Sequence, residues 1–163
     1  MKNYEFELIF KVQNIEDMNI YSDKLFENGC DDATISFGQL GFLALSFSRE
    51  ANSADEAIQS AIKNILQAIP NAKLVEASPD IVSISDIASI LGYSRQYIRK
   101  LFETNLSYLP TPIHIGNPSI WHLSEILNWL KDIKKSNNQN ISDSLFEIAN
   151  ITREVNINKK FVV

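Results

Sequence analysis

A single cysteine, Cys30, stands in a chain of 163 residues, which excludes an intramolecular disulfide and any cluster of thiolate metal ligands. A reducing compartment suits such a chain, and the cytoplasm is the expected location. Histidine is nearly as scarce. His114 and His122 have no cysteine and no convergent carboxylate at ligand spacing, so no metal and no cofactor is expected. The five glycines form no phosphate-cradling loop, and there is no nucleophile elbow. No apolar run approaches a membrane span, and Glu5 and Glu7 interrupt the stretch that a signal peptide would need apolar. The acidic pairs Glu16-Asp17, Asp31-Asp32 and Asp55-Glu56 offer no catalytic dyad, because adjacent residues on a helix or strand point apart. They are read as caps and solvating groups. Acidic neighbours are expected to raise the pKa of Cys30 and leave it unreactive. No catalytic residue is assigned, and an enzyme is the least expected class.

What is present is apolar content of 45%, suited to packed cores, and an uneven distribution of charge. Residues 1–78 hold 6 Lys+Arg against 12 Asp+Glu, residues 79–135 hold 6 against 5, and residues 136–163 hold 3 against 3. The net charge of -5 therefore comes from the first half of the chain. Sequence character changes near Pro79. That predicts an N-terminal domain over 1–78, a second domain over 79–135, and a linker with a docked tail over 136–163.

Residues 4–12 alternate, with Tyr4, Phe6, Leu8, Phe10 and Val12 on one face, which predicts a strand. A helix is expected over 17–28, with Tyr21 and Leu25 inside and Gly29 ending it. Strands over 33–37 and 42–48 follow, joined by a loop containing Gly38 and Gly41. Ser53 and Glu56 form a capping-box pattern. It opens a helix whose stripe is Ala54, Ala57, Ile58, Ala61, Ile62, Ile65, Leu66 and Ile69, and residues 72–77 make a last strand. The fold class is α+β. The order strand, helix, strand, strand, helix, strand predicts a ferredoxin-like sandwich, four antiparallel strands with both helices on one face.

Beyond Pro79, Ser85 is expected to cap a short helix with Ile87, Ala88 and Leu91 inside, and Gly92 to end it abruptly. Ser94 then caps a helix over 94–104 that turns Ile98, Leu101 and Phe102 inward. Arg95, Gln96, Arg99 and Lys100 are left outside. Two helices that cross steeply need a small residue at closest approach and a turn residue four positions on, and Ala88 and Gly92 supply them. Pro110 and Pro112 exclude helix, and Gly116, Asn117 and Pro118 make a turn between arms at 113–115 and 120–122, the pattern of a wing carrying His114 and His122. Ser124 should cap a closing helix to about residue 135, with Ile126, Leu127, Leu130 and Ile133 packed and Trp129 over the core. A polar linker spans 136–140. Ile141, Leu145, Ile148 and Ala149 mark a short amphipathic helix, and Val155, Ile157 and Phe161 alternate after it. A tail so apolar is expected to dock on the N-terminal domain or on a second subunit.

The residues Ile87, Ala88, Leu91, Gly92, Ser94, Arg95, Gln96, Ile98, Arg99, Lys100 and Leu101 carry a resemblance. With Leu109, Pro110, Pro112, Gly116, Ser119, Trp121, Ser124, Leu127, Trp129 and Leu130, the segment 81–130 resembles the winged helix-turn-helix of MerR-like, excisionase and prophage AlpA-type regulators. The resemblance covers about a third of the chain. It implies a small bacterial or phage transcriptional regulator or excision factor that binds double-stranded DNA. Arg95 and Gln96 would read base edges, and Ser94, Arg99, Lys100 and His114 would lie on the backbone. Such wings often place an Arg before the tryptophan, where this chain has Ile120. The near-neutral motif segment makes a homodimer expected, since dimerisation doubles the phosphate contacts. The alternative is a protein-interaction module, antitoxin-like or an assembly partner, that turns the same surface to protein. A small-molecule effector has only fold analogy behind it.

Overall fold

The structure is a computed structural model that describes residues 1–133 and 141–161. It is a mixed α+β chain with two compact units, Met1–Ser78 joined by the stretch from Glu154, and Pro79–Arg153. The polar run expected to be a linker, 136–140, lies outside the described residues.

In the first unit β1 (Lys2–Lys11), α1 (Asn19–Glu27), β2 (Ala33–Phe37), β3 (Phe42–Ala51), α2 (Ala54–Ala68) and β4 (Lys73–Ser78) follow one another. The strands form one antiparallel sheet in the order β2-β3-β1-β4. Alternation fixes which face is covered: Tyr4, Phe6, Leu8 and Phe10 of β1 are buried with Leu43, Leu45 and Phe47 of β3. Phe6 pairs with Phe47 in register, and their rings stack at 5.1 Å. Helix α2 contributes Ala54, Ala57, Ile58, Ala61 and Ile65 to the core, and the Ser53 hydroxyl accepts the Glu56 N–H at its start. Leu66, expected in that stripe, is exposed. Between β2 and β3 the chain turns through Gly41 at φ +82°, where an added Cβ would collide with the Val12 carbonyl oxygen.

The C-terminal stretch is one helix, α6 (Asp143–Phe161), and not a short helix followed by an alternating segment. Its buried positions are Ile148, Ala149, Thr152 and Asn156, a stripe at three- and four-residue spacing. The last two are polar, so a search for apolar periodicity stops one turn too soon. From Glu154 on, α6 belongs to the first unit. There Asn156 closes the β4 edge: its amide donates to the Ala77 carbonyl at 2.7 Å, and its Oδ1 accepts the Ala77 N–H at 2.8 Å. Lys159 Nζ donates to the Val75 carbonyl.

The second unit holds β5 (Ile81–Val82), α3 (Ile84–Leu91), α4 (Arg95–Thr104), β6 (Trp121–His122), α5 (Leu123–Ile133) and α6 up to Arg153. Its core joins Val82, Ile87, Leu91, Ile98, Phe102, Trp121, Ile126, Leu127 and Trp129. Phe102 meets Trp121 and Trp129 edge to face at 5.2 and 5.3 Å. Helix α3 is capped by Ser83 and not by Ser85: the Ser83 hydroxyl accepts the Asp86 N–H, and the Asp86 carboxylate accepts the Ser83 N–H at 2.9 Å. Helix α5 likewise begins at Leu123, without Ser124 as its cap. The Leu123 N–H is taken by the Asp80 carbonyl at 2.6 Å, and buried Ser124 accepts from Arg153. The two arms expected at 113–115 and 120–122 pair over a shorter length than their sequence pattern. His114 and Ile120 form one isolated bridge, while Trp121 and His122 pair with Val82 and Ile81. Pro110 and Pro112 lack the donors that a longer ladder would use.

Candidate nucleic-acid interface

The site is built on the turn between α3 and α4. Gly92 takes the left-handed conformation at φ +73°, and the Tyr93 N–H then reaches the Ala88 carbonyl at 3.0 Å, which closes α3. Ser94 starts α4 by accepting the Tyr97 N–H at 3.1 Å. Ile98 and Phe102 are buried on one side of α4; the helical repeat turns Gln96 and Lys100 to the opposite side, and Arg95 and Arg99, along the border of the buried stripe, are exposed as well. The first turns of α4 carry no carboxylate, and Glu103 comes only near its end.

Arg95 and Arg99 line a cleft of about 220 Å³ together with Ser83, Ser85 and the turn 116–119. That turn is held by the Gly116 N–H donating to the Ser119 hydroxyl at 3.1 Å. Of the residues assigned from sequence, the structure gathers Arg95 and Arg99 around this cleft. Ser94, Gln96, Lys100 and His114 are exposed outside its walls. Two guanidiniums lining one cleft suit an anionic group.

Sequence reasoning missed three features. Asp80, fully buried, lies with Oδ1 2.8 Å from His122 Nδ1. His122 is thus turned to Asp80 across forty-two residues of sequence, a separation that no local pattern signals. The second feature is Arg49, which pairs with both oxygens of Asp32 at 2.7 and 2.9 Å and reaches the Gly29 carbonyl, Ser60 and Asn64. Asp32 is therefore a partner of a nearly buried arginine, not a solvating group. The third is an uncharged run over 104–124, which exposes Leu106, Tyr108 and Ile115 at 66%, 78% and 79%. Cys30 is buried, and its thiol is pushed up to about 11. Burial is the first cause, Asp32 and Asp31 add to it, and Arg49 opposes.

Among the described residues no helix is long and apolar enough to cross a membrane, and no group of three His, Cys, Asp or Glu could hold a metal ion. No family model, no curated protein and no solved structure matches this chain.

Proposed function

We propose that the chain is a sequence-specific DNA-binding protein, a small cytoplasmic regulator or excision factor of bacterial or phage type, and not an enzyme. The reading takes residues 79–135 as a winged helix-turn-helix and residues 1–78 as a ferredoxin-like domain. The strand order β2-β3-β1-β4 in a βαββαβ chain supports the second assignment. The observation that carries the first is the exposed face of α4, with Arg95, Gln96, Arg99 and Lys100 free of acidic neighbours in its first two turns. In this reading α4 enters the major groove. Arg95 and Gln96 contact base edges, and Arg99, Lys100, Ser94 and His114 hold phosphates on either side. Selection of bound sequences from a random duplex pool tests it. A motif should be enriched by the parent chain and lost with Arg95→Ala plus Arg99→Ala, and a pool returned unenriched refutes base reading.

Leu106, Tyr108 and Ile115, exposed in an uncharged run, favour a second reading in which this side of the unit meets a protein. Salt separates the two. Phosphate contacts weaken steeply as salt rises, while an apolar contact does not.

A further inference from the structure

The four-stranded sheet of the first unit has two edges, and the chain treats them differently. The β4 edge is occupied by α6, through the two-bond grip of Asn156 on Ala77 and the Lys159 bond to Val75. The other edge is β2, residues Ala33, Thr34, Ile35, Ser36 and Phe37. Its hydrogen-bonding side can be deduced from the flanking residues. The Asp32 carbonyl accepts from Ser48, and the Gly38 N–H donates to Phe42, so the even-numbered residues face β3. Ala33, Ile35 and Phe37 therefore aim their N–H and C=O groups away from the sheet. Among the described residues no group bonds that side. The strand also lacks the usual protections of an edge, having no charge, no proline and an unbroken register with β3. Its inner-face side chains are incompletely covered: Ile35 is half-buried and Phe37 is 38% exposed, against 0% for Leu43 and Leu45 across the ladder.

We propose that this edge is the interface of a homodimer, β2 pairing antiparallel with β2 of a second copy about a two-fold axis at Ile35. That register follows from the geometry. Only a pairing that sets Ile35 opposite Ile35 lets Ala33, Ile35 and Phe37 all exchange their outward backbone bonds, with Ala33 opposite Phe37 of the other copy. The strand is complementary to itself in this register. The large, half-exposed Phe37 faces the small Ala33 on the covered face of the sheet, and Thr34 faces Ser36 on the open one. A second copy fits better than a foreign strand because the uncharged sequence meets itself without like-charge opposition. The result is one continuous sheet of two units. The inference does not depend on what α4 binds.

The test uses the full chain. Thr34 and Ser36 are exposed, so Thr34→Lys with Ser36→Lys leaves the core untouched while setting like charges opposite one another across the two-fold. Thr34→Glu with Ser36→Glu does the same with the other sign. Sedimentation should show the parent as a dimer and each double variant with association weakened roughly tenfold or more. A mixture of the two variants should recover the parental dimer, since Lys then lies opposite Glu. Recovery also shows that both variants are folded. A monomeric parent, variants as dimeric as the parent, or a mixture that stays monomeric overturns the pairing.

Discussion

At the scale of single residues, the consequences that can be measured lie with Asp80 and Cys30. Truncating a buried hydrogen-bonded carboxyl leaves its partners unpaired, and Asp80 serves His122. Asp80→Ala should destabilise the second unit by about 2–4 kcal/mol. The readout is clean: Trp121 and Trp129 are the chain's two tryptophans and both lie in that unit, so indole fluorescence during urea unfolding reports it alone. Cys30 gives a pH dependence of definite sign. Its thiol keeps its proton to about pH 11 when folded, while an unfolded thiol releases it near 9.0. Between those values the unfolded chain binds fewer protons, so stability falls as pH rises, by up to about 1.4 kcal/mol per pH unit. Replacing Cys30 with Ala should flatten that decline in denaturation midpoints measured from pH 8 to 11. The direction of the Cys30 shift was legible from its acidic neighbours, but its larger cause, burial, was not. Asp80 was not legible, because it meets His122 only once β5 and β6 have paired.

At the scale of elements, Gly41 and Gly92 separate two kinds of glycine requirement. Both have positive φ, yet a Cβ at Gly92 would meet nothing within 4 Å, whereas at Gly41 it would strike the Val12 carbonyl oxygen. Gly92→Ala should cost about 1 kcal/mol, the strain of the left-handed conformation alone. Gly41→Ala should cost clearly more, compared by the far-ultraviolet circular dichroism melt of each variant. Asn156→Ala should strip the β4 edge of its partner, cost about 1–3 kcal/mol, and speed amide exchange at Ala77. The strands and helices built on apolar spacing, β1, α2 and α4 among them, could be read directly, because burial of one face imposes a period. The starts of α3 and α5 could not. Ser83 and Ser85 both stand at the start of α3, and the reciprocal bonds with Asp86 settle it for Ser83; at α5 the Leu123 N–H goes to the distant Asp80 carbonyl, so Ser124 does not cap. The buried polar stripe of α6 escaped for a related reason, since Thr152 and Asn156 are inside only because Pro79 and Ala77 offer them partners.

At the scale of the whole molecule, charge and salt give the sharpest expectation. On the proposed DNA-binding reading, affinity should fall linearly with salt on a logarithmic plot, and Arg99→Ala, which removes one phosphate contact, should shallow the slope by about one, measured by fluorescence anisotropy on a selected duplex. Edge-to-edge association of two acidic first units should instead hold or strengthen as salt rises, because screening relieves their mutual repulsion. Opposite responses in one titration would separate assembly from recognition. The α4 surface was legible beforehand, for a recurrent spacing of small, turn and apolar residues leaves its cations no inward position. The cleft they share with the turn 116–119 was not, because it depends on arms that pair through a single isolated bridge. Finally, a single nineteen-residue helix lends its early turns to one half of the protein and its last turns to the other. The first half could not be shuffled onto an unrelated gene by cutting near Pro79 alone. The second half would carry the threonine that seats Pro79 along with it, but the orphaned acidic half would keep a raw sheet margin in place of its asparagine seal, so recombination would have to move this final stretch with it.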